Sequence, residues 1–305
     1  MSLIKTNKTL IYFLSVNYFS STLIKRLLDS IRNTAPKTIA WKFIIVNNAP
    51  DDHQVRNFSA ENVIVLDAGG NRGFGSGCNL GIDWVAQQSP EGVIWLINPD
   101  TYLCWDSLQN LEIFLAQNPS LPLIGTLIKT PDNKVWFGGG TFSPKRGAIV
   151  ATDSISNHAN YPYVSCDWLS GCSLIINLQQ FSSPPHFNPD YFLYYEDFDF
   201  CQRYAATGCQ VVITSKIVVM HEPSTITDRN LHEKFRHSTY SYLLTLKRYS
   251  PPAIFWIRGL RLFIFALILL PLKPQIALGK LRGIYALIVK FFGSSHDKSS
   301  DFSLS

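Results

Sequence analysis

Four short apolar runs constrain this chain more than any other feature. Leu10–Val16, Trp41–Val46, Asn62–Leu66 and Gly92–Ile97 are five to seven residues long and rich in β-branched and aromatic side chains. Runs of that length without alternation suit strands covered on both faces, as in parallel sheets. Between the first two, Leu23, Ile24, Leu27, Leu28 and Ile31 recur at helical spacing behind Ser20 and Ser21. After the fourth, Leu108, Leu111, Phe114 and Leu115 do the same. This order predicts an α/β fold, a mostly parallel central sheet flanked by helices.

At 305 residues the chain is long enough for one large α/β domain with an appendage, or for two modest domains. Hydrophobic residues make up 46% and charged residues 16%, the balance of a folded protein. The six cysteines form no Cys-x-x-Cys pair and no zinc-like spacing, so reduced thiols in a cytosolic compartment are expected. Met1–Thr9 lacks the pattern of a signal peptide. The net charge of +5 hides an asymmetry: no acid lies between Glu233 and Asp297, where there are ten bases. The remainder holds 17 bases against 22 acids. An acidic body with a basic, apolar tail argues against nucleic acid as the body's partner.

Gly69–Gly81 carries six glycines in thirteen residues and leads into helical spacing at Ile82, Val85 and Ala86. A glycine loop between strand and helix can bring backbone N–H groups to a phosphate or a ribose. Its spacing is neither the dinucleotide fingerprint nor a P-loop. Asn98-Pro99-Asp100 ends the fourth apolar run, and a carboxylate past a strand's C-terminal end is well placed for ligand chemistry or a divalent ion. Leu121–Val150 is turn-rich and suits hairpins added to a sheet edge. In Asp190–Arg203 an aromatic run ends in Glu196, Asp197 and Asp199. Read as a helix start, it puts Glu196, Asp199 and Arg203 on one face, with Phe198, Cys201 and Ala205 towards the core and Asp197 free to project into a cleft. Taken alone, acids in a first turn and an Asp–Arg pair four apart are also an ordinary surface device. His221 closes the last strand-like run, Val211–Met220; such a His is commonly structural.

Taken in order, these segments form a larger pattern: Val16-Asn17, Asn47-Asn48-Ala49, Asn71-x-Gly73-Phe74-Gly75-x-Gly77-x-Asn79, Asn98-Pro99-Asp100, Trp168-x-x-Gly171, Glu196-Asp197-x-Asp199-x-x-x-Arg203 and His221. The pattern, over roughly residues 9–225, resembles the inverting family 2 glycosyltransferases, closest to the rhamnosyltransferase-type members that build bacterial surface polysaccharides. The resemblance implies a GT-A fold and sugar transfer from a nucleoside diphosphate. It implies that Asn17, Asn47, Gly70, Asn71, Gly73, Phe74, Gly77, Asn79, Asn98 and Asp100 hold the donor, and that Asp100 and His221 bind Mg²⁺ or Mn²⁺. Asp197 takes the place of the catalytic base, with Trp168, Gly171 and Glu196 on the acceptor side and Asp199 and Arg203 as support. Asn98 and Asn47 depart from the family's usual acids at those positions.

The implied activity is transfer of a sugar, with dTDP-L-rhamnose the favoured donor and galactofuranose or a hexosamine the alternatives, to a saccharide or lipid-linked saccharide. A catalytically inactive sugar-nucleotide-binding partner in an assembly complex is the competing class, and retention of Asp100, Asp197 and His221 speaks against it. A nucleotidyltransferase would need a basic, glycine-rich signature that Ser15–Ser20 lacks. Residues 1–245 are read as the GT-A domain, 246–293 as basic amphipathic helices and 294–305 as disordered. The longest uncharged run, Leu262–Leu272, has eleven residues, too few for a bilayer core that needs about 20. Helices lying in the plane of an anionic membrane surface are therefore expected, with a tilted span or simple packing on the domain as alternatives. This puts the protein at the cytoplasmic face of the membrane, as a peripheral protein.

Overall fold

The computed structural model describes residues 10–36, 38–158, 160–222 and 230–292. The expectations for Met1–Thr9 and for the tail from 294 lie outside the described residues. The strands are β1 (Leu10–Asn17), β2 (Ala40–Asn47), β3 (Val63–Asp67), β4 (Val93–Ile97), β5 (Thr101–Leu103), β6 (Leu123–Lys129), β7 (Val135–Phe137), β8 (Gly140–Ser143), β9 (Ala148–Ala151), β10 (Val164–Ser165), β11 (Ser173–Asn177) and β12 (Val211–His221). The helices are α1 (Ser21–Thr34), α2 (Phe74–Gln88), α3 (Ser107–Gln117), α4 (Glu196–Ala206), α5 (Leu231–Tyr249), α6 (Pro252–Leu269) and α7 (Pro274–Phe292). The chain divides into two compact units. The first holds the sheet and α1 to α4; the second gathers α5, α6 and α7 with residues 143–148 and 191–195.

In the first unit the main sheet runs β10-β12-β6-β11-β4-β1-β2-β3. β3, β2, β1 and β4 are mutually parallel, and β11 enters antiparallel between β4 and β6. Side chains alternate across the sheet as the pleat requires. Tyr12, Leu14 and Val16 join Cys78, Ile82 and Val85 of α2 and Phe200 and Cys201 of α4 on one face. Ile11 and Phe13 join Ile24, Leu27 and Leu28 of α1 and Leu108 and Leu111 of α3 on the other. The expected hairpins at the edge are corrected in part. β6 is buried and pairs with both β11 and β12 inside the sheet; β7 folds back on it as a hairpin, and β8 and β9 form a separate two-stranded sheet. Six of its seven residues are buried, which an edge hairpin could not achieve.

Register then sets up the site. Asn17 lies beside Asn47, and Asn47 beside Asp67, so the first three strands end on one polar line. Ser173 of β11 pairs with Ile97, which brings Gly171 and Cys172 to the end of β4. His221 of β12 pairs with Thr101, which brings it to Asp100.

In the second unit α7 lies against α5 at close range. A methyl group on Gly279 would stand 2.4 Å from the His232 carbonyl oxygen, and one on Gly283 2.5 Å from that of Arg236. The two glycines, one turn apart, let the helix backbones approach. Leu243, Leu244, Leu246 and Leu287 form its small core with Tyr191. All of α5 thus belongs with the later helices, so the unit begins before the expected boundary at 246. Only Ala266 of α6 is buried, and this helix is long and apolar enough, by length and composition, to cross a membrane.

Candidate active site

The polar line at the strand ends is a hydrogen-bond network, with Asn47 Nδ2 and Asn48 Oδ1 buried and without a partner among the described residues. Asn17 donates from Nδ2 to Asn47 Oδ1 (2.9 Å) and to Asp52 Oδ2 (3.1 Å), and its Oδ1 accepts from the backbone and hydroxyl of Ser20. Asp52 also accepts from the Ser21 hydroxyl at 2.7 Å. Asn17 and Asn47 are completely buried, so they brace the strand ends rather than offer a surface. The exposed groups there are Tyr18 and Phe19, whose rings meet edge to face at 5.1 Å. Phe19 holds a left-handed backbone, φ 48°.

The glycine segment does two jobs, and only the first is loop chemistry. Gly73 (φ 82°) ends the loop, its N–H donating to Asn71 Oδ1 and its carbonyl accepting from Asn48 Nδ2 at 2.8 Å. From Phe74 onward the chain is already helical. A methyl group on Gly77 would stand 3.0 Å from Val16 and 3.1 Å from Asn48, and one on Gly81 2.2 Å from Leu14. These glycines let α2 sit on the strands. Gly77 is therefore a packing position in this fold. Asn79 is tied into the fold as well. Its amide exchanges two hydrogen bonds with the Phe187 backbone (2.7 and 2.9 Å), which uses it as a brace. Gly70, Asn71 and Phe74 retain partial or full exposure.

Asp100 and His221 come together as the register dictates. His221 Nε2 stands 3.3 Å from Asp100 Oδ1, with both side chains nearly buried. Two neighbouring ligands of a six-coordinate ion with bonds of about 2.1 Å are roughly 3 Å apart, so the pair fits two positions of one such ion. His221 Nδ1 is buried without a hydrogen-bond partner among the described residues. Trp136 packs edge-on against the imidazole at 4.4 Å. No third His, Cys, Asp or Glu joins them among the described residues, so further ligands would have to come from substrate and water. Asn98 donates its N–H to the Cys172 carbonyl (3.0 Å), fixing the turn that carries Asp100.

At the start of α4, Asp197 accepts from the Gly171 N–H at Oδ2 (2.9 Å) and from the Phe198 N–H at Oδ1 (2.8 Å). Burial pushes its carboxyl up from the ordinary value, and the two N–H groups pull it part-way back. Glu196 is more extreme. Burial first, and then the Asp197 charge, push its carboxyl well above the carboxylate range, and its Oε2 has no hydrogen-bond partner. Glu196 is therefore pushed up further than Asp197 and is the tighter proton holder of the pair. A methyl group on Gly171 would stand 3.0 Å from the Phe74 ring and 3.5 Å from Asp197 Cβ, so the start of α2, the Gly171 turn and Asp197 meet at one point. Cys172 ties this point to the other carboxylate. Its thiol is pushed up first by burial, then by the charges of both Asp100 and Asp197.

The supporting residues are less exposed than a surface device would be. Asp199 is fully buried and pairs with Arg203 Nε at 2.7 Å, while Arg203 Nη2 donates to the His186 carbonyl (2.6 Å). Ala205, expected in the core, is exposed, and Phe200 takes that place, stacked on Phe187 at 4.4 Å. Trp168 packs on Phe137 at 5.0 Å, and its indole N–H is buried without a partner among the described residues. The sequence reading missed Asp52, Cys172, Trp136 and the Tyr18–Phe19 pair. Of these only the aromatic pair at a strand end carried a signal.

With this geometry in place, the comparisons with known proteins can be read. No family model matches the chain. It is 27% identical over 205 residues to the low-salt glycan biosynthesis hexosyltransferase Agl10 of Haloferax volcanii, covering 65% of this chain and 64% of that one. It is 25% identical over 256 residues to the N-acetylglucosaminyl-diphospho-decaprenol L-rhamnosyltransferase of Mycobacterium tuberculosis, covering 75% and 82%. Among solved structures, GalNAc-T7 with UDP, GalNAc and Mn²⁺ superposes with a TM-score of 0.57 at 12% identity, over 78% of this chain and 50% of that one. The mannosyltransferase PcManGT of Pyrobaculum calidifontis with GDP-Man and Mn²⁺ gives 0.52 at 12% identity, over 96% and 81%. The fold is GT-A. The sequence relatives are glycosyltransferases, one of glycan biosynthesis and one an L-rhamnosyltransferase, in keeping with the resemblance to the family 2 rhamnosyltransferase type. The chain spans less than two thirds of the archaeal relative and half of GalNAc-T7.

Proposed function

We propose that this protein is an inverting glycosyltransferase that moves a sugar from a nucleoside diphosphate to a hydroxyl of a saccharide or lipid-linked saccharide. The observation that carries the reading is Asp197, held by two backbone N–H groups at the meeting point of α2, the Gly171 turn and α4, with Cys172 close to both it and Asp100. Asp197 takes the proton of the acceptor hydroxyl as its oxygen attacks the anomeric carbon. The bond from that carbon to the diphosphate oxygen breaks, its electron pair leaves with the nucleoside diphosphate, and the anomeric configuration inverts.

Asp100 and His221 would hold a Mg²⁺ or Mn²⁺ ion, which when bound offsets charge on the departing diphosphate. The two Mn²⁺-bound structural relatives support the choice of metal. Gly70, Asn71, Gly73, Phe74 and Asn98 border the donor, and the exposed Tyr18 and Phe19 offer faces for its base. The braces Asn17 and Asn47 hold that edge in shape. Trp168, with its unpartnered indole N–H, and Gly171 line the acceptor side, with the neutral Glu196 beside them. The name of the mycobacterial relative supports L-rhamnose as the sugar and a diphospholipid-linked saccharide as the acceptor. Residues 1–245 carry the transfer and the later helices associate with an anionic membrane surface at the cytoplasmic face. The exposed apolar face of α6 beside Arg258 and Arg261 supports this.

The test incubates purified protein with a panel of nucleotide sugars, a divalent ion and a membrane lipid extract. Release of nucleoside diphosphate that depends on the extract and is lost in Asp197→Asn supports the reading. Equal release by both proteins removes it.

A further inference from the structure

The surface of the second unit carries an open groove, a cavity of about 420 Å³. It is lined by Tyr242 of α5 and by Arg258, Arg261, Leu262, Phe265 and Ile268 of α6. The α6 residues recur at three- and four-residue steps, so they share one face. That face is two-part along the helix: two guanidiniums within one turn, then a strip of apolar side chains. From Arg261 to Ile268 the strip runs roughly 10 Å at the helical rise.

Among the described residues, no acid of this unit pairs with the cationic end. Arg258 donates from Nε (3.0 Å) and Nη2 to the Arg146 carbonyl oxygen, which fixes its guanidinium, and Arg261 has no hydrogen-bond or ion-pair partner among the described residues. Tyr242 donates its hydroxyl proton to the Gly147 carbonyl at 2.8 Å. Burial pushes its phenol up, so no phenolate neutralises the arginines. Glu233 is the only described acid of this unit, and it is engaged by His232, Arg236 and His237. Two like charges one turn apart are unfavourable unless an anion joins them. A phosphate, which guanidinium forks grip with paired hydrogen bonds, is the anion that suits them. The apolar strip that continues from the same cavity means that the anion carries a hydrocarbon chain.

We infer that this cavity holds the diphosphate head of a lipid-linked acceptor, with its hydrocarbon chain laid along Leu262, Phe265 and Ile268. The inference rests on the lipid-linked acceptor reading above and gives that acceptor a binding site in the chain. The experiment titrates the full-length protein in neutral detergent, by calorimetry and without nucleotide sugar. The ligands are geranylgeranyl diphosphate, geranylgeraniol, inorganic pyrophosphate and phosphatidylglycerol. Saturable binding of the lipid diphosphate is expected, at least tenfold tighter than the other three. Arg261→Gln should weaken it about tenfold and Arg261→Lys should restore part of the loss. Arg261 is exposed and bonds to nothing described in the chain, so an unchanged thermal melt is expected and separates lost binding from lost fold. Equal binding by Arg261→Gln overturns the site. Pyrophosphate binding as tightly as the lipid overturns the chain-binding strip, and equal binding of phosphatidylglycerol overturns the specificity for diphosphate. If nucleotide-sugar turnover is absent while Arg261-dependent binding persists, it is the transferase reading that has failed and the cavity that stands.

Discussion

The first unit takes carboxylates out of water, burying Asp52, Asp100, Glu196 and Asp199, whereas the second keeps one described acid and spreads its bases over an apolar helix surface. Buried charge is costly unless it is paired or bonded, so each buried carboxylate of the first unit has an identifiable arrangement. Asp52 accepts from Ser21 and Asn17, Asp199 has Arg203, Asp100 has His221, and Glu196 keeps its proton. In the second unit the charges stay in or near water, and apart from the group around Glu233 the described bases are paired with no described acid of that unit. The contrast separates a region built to hold reacting groups from one built to meet an anionic, apolar partner.

The sharpest way to break this contrast is Asp197→Asn. The side chain keeps its size and one acceptor oxygen, while the proton-accepting charge and one of its two backbone hydrogen bonds are lost. Loss of general-base catalysis predicts a fall of about 10²–10⁴ in kcat with little change in donor KM. Retained kcat would return the acids of α4 to a purely structural role. Next in size is Arg203→Met, which takes the partner from a carboxylate with no exposed surface. A loss of roughly 3–5 kcal/mol of unfolding free energy in urea is expected, the range for breaking a buried pair. A loss below 1 kcal/mol would mean that Asp199 is held by its other contacts. His221→Ala comes third. Removal of one of two protein ligands should raise the half-saturating Mn²⁺ concentration by about 10–100-fold, the range seen when metal-site contacts are lost. A fall in maximal rate at an unchanged metal requirement would instead assign His221 to holding Asp100.

Much of the first unit was legible because strand periodicity and buried length are local properties. The runs at Leu10–Val16 and Gly92–Ile97 became β1 and β4 within a residue or so. The site was legible where a residue type has one plausible use. Asp100 and His221 are brought side by side by the pairing of β12 with β5, and Asp197 is held by the Gly171 N–H. It was illegible where one residue type has several uses. Glycine serves both turns and close packing, so Gly73 and Gly77 look alike in sequence and part company in the fold. Asn79 reads as a ligand residue until the Phe187 backbone is seen to take both ends of its amide. Asp52 and Cys172 gave no signal at all, since their roles depend on partners 35 residues from Asp52 and on the meeting of separate turns. The small core of the second unit was hidden for the same reason: α5 and α7 are joined by two glycines on one face, and composition reported only a basic, greasy tail.

The smallest expected effect tests the finer division within the first unit, between two adjacent carboxyls of opposite state. Glu196 has its proton affinity raised by burial and by Asp197, so the folded chain binds that proton more tightly than the unfolded chain does. Stability from this group is then complete below the ordinary carboxylate value and is lost as pH rises towards the raised folded value. Glu196→Gln has the same shape and no proton to lose. Its melting temperature should match wild type near pH 4 and exceed it by on the order of 2–4 °C at alkaline pH, a gap that widens with pH. The acid limb of the pH–rate profile carries the complementary information. Burial raises the Asp197 carboxyl, so activity should fall as pH drops through a point above the usual aspartate range, and the base is lost below it. Because Glu196 is already neutral there, Glu196→Gln should leave that limb where it is. A limb that moves down by a full pH unit in Glu196→Gln would mean that Glu196 is charged in the working enzyme, that the two carboxyls share one proton, and that neither can be assigned the base alone.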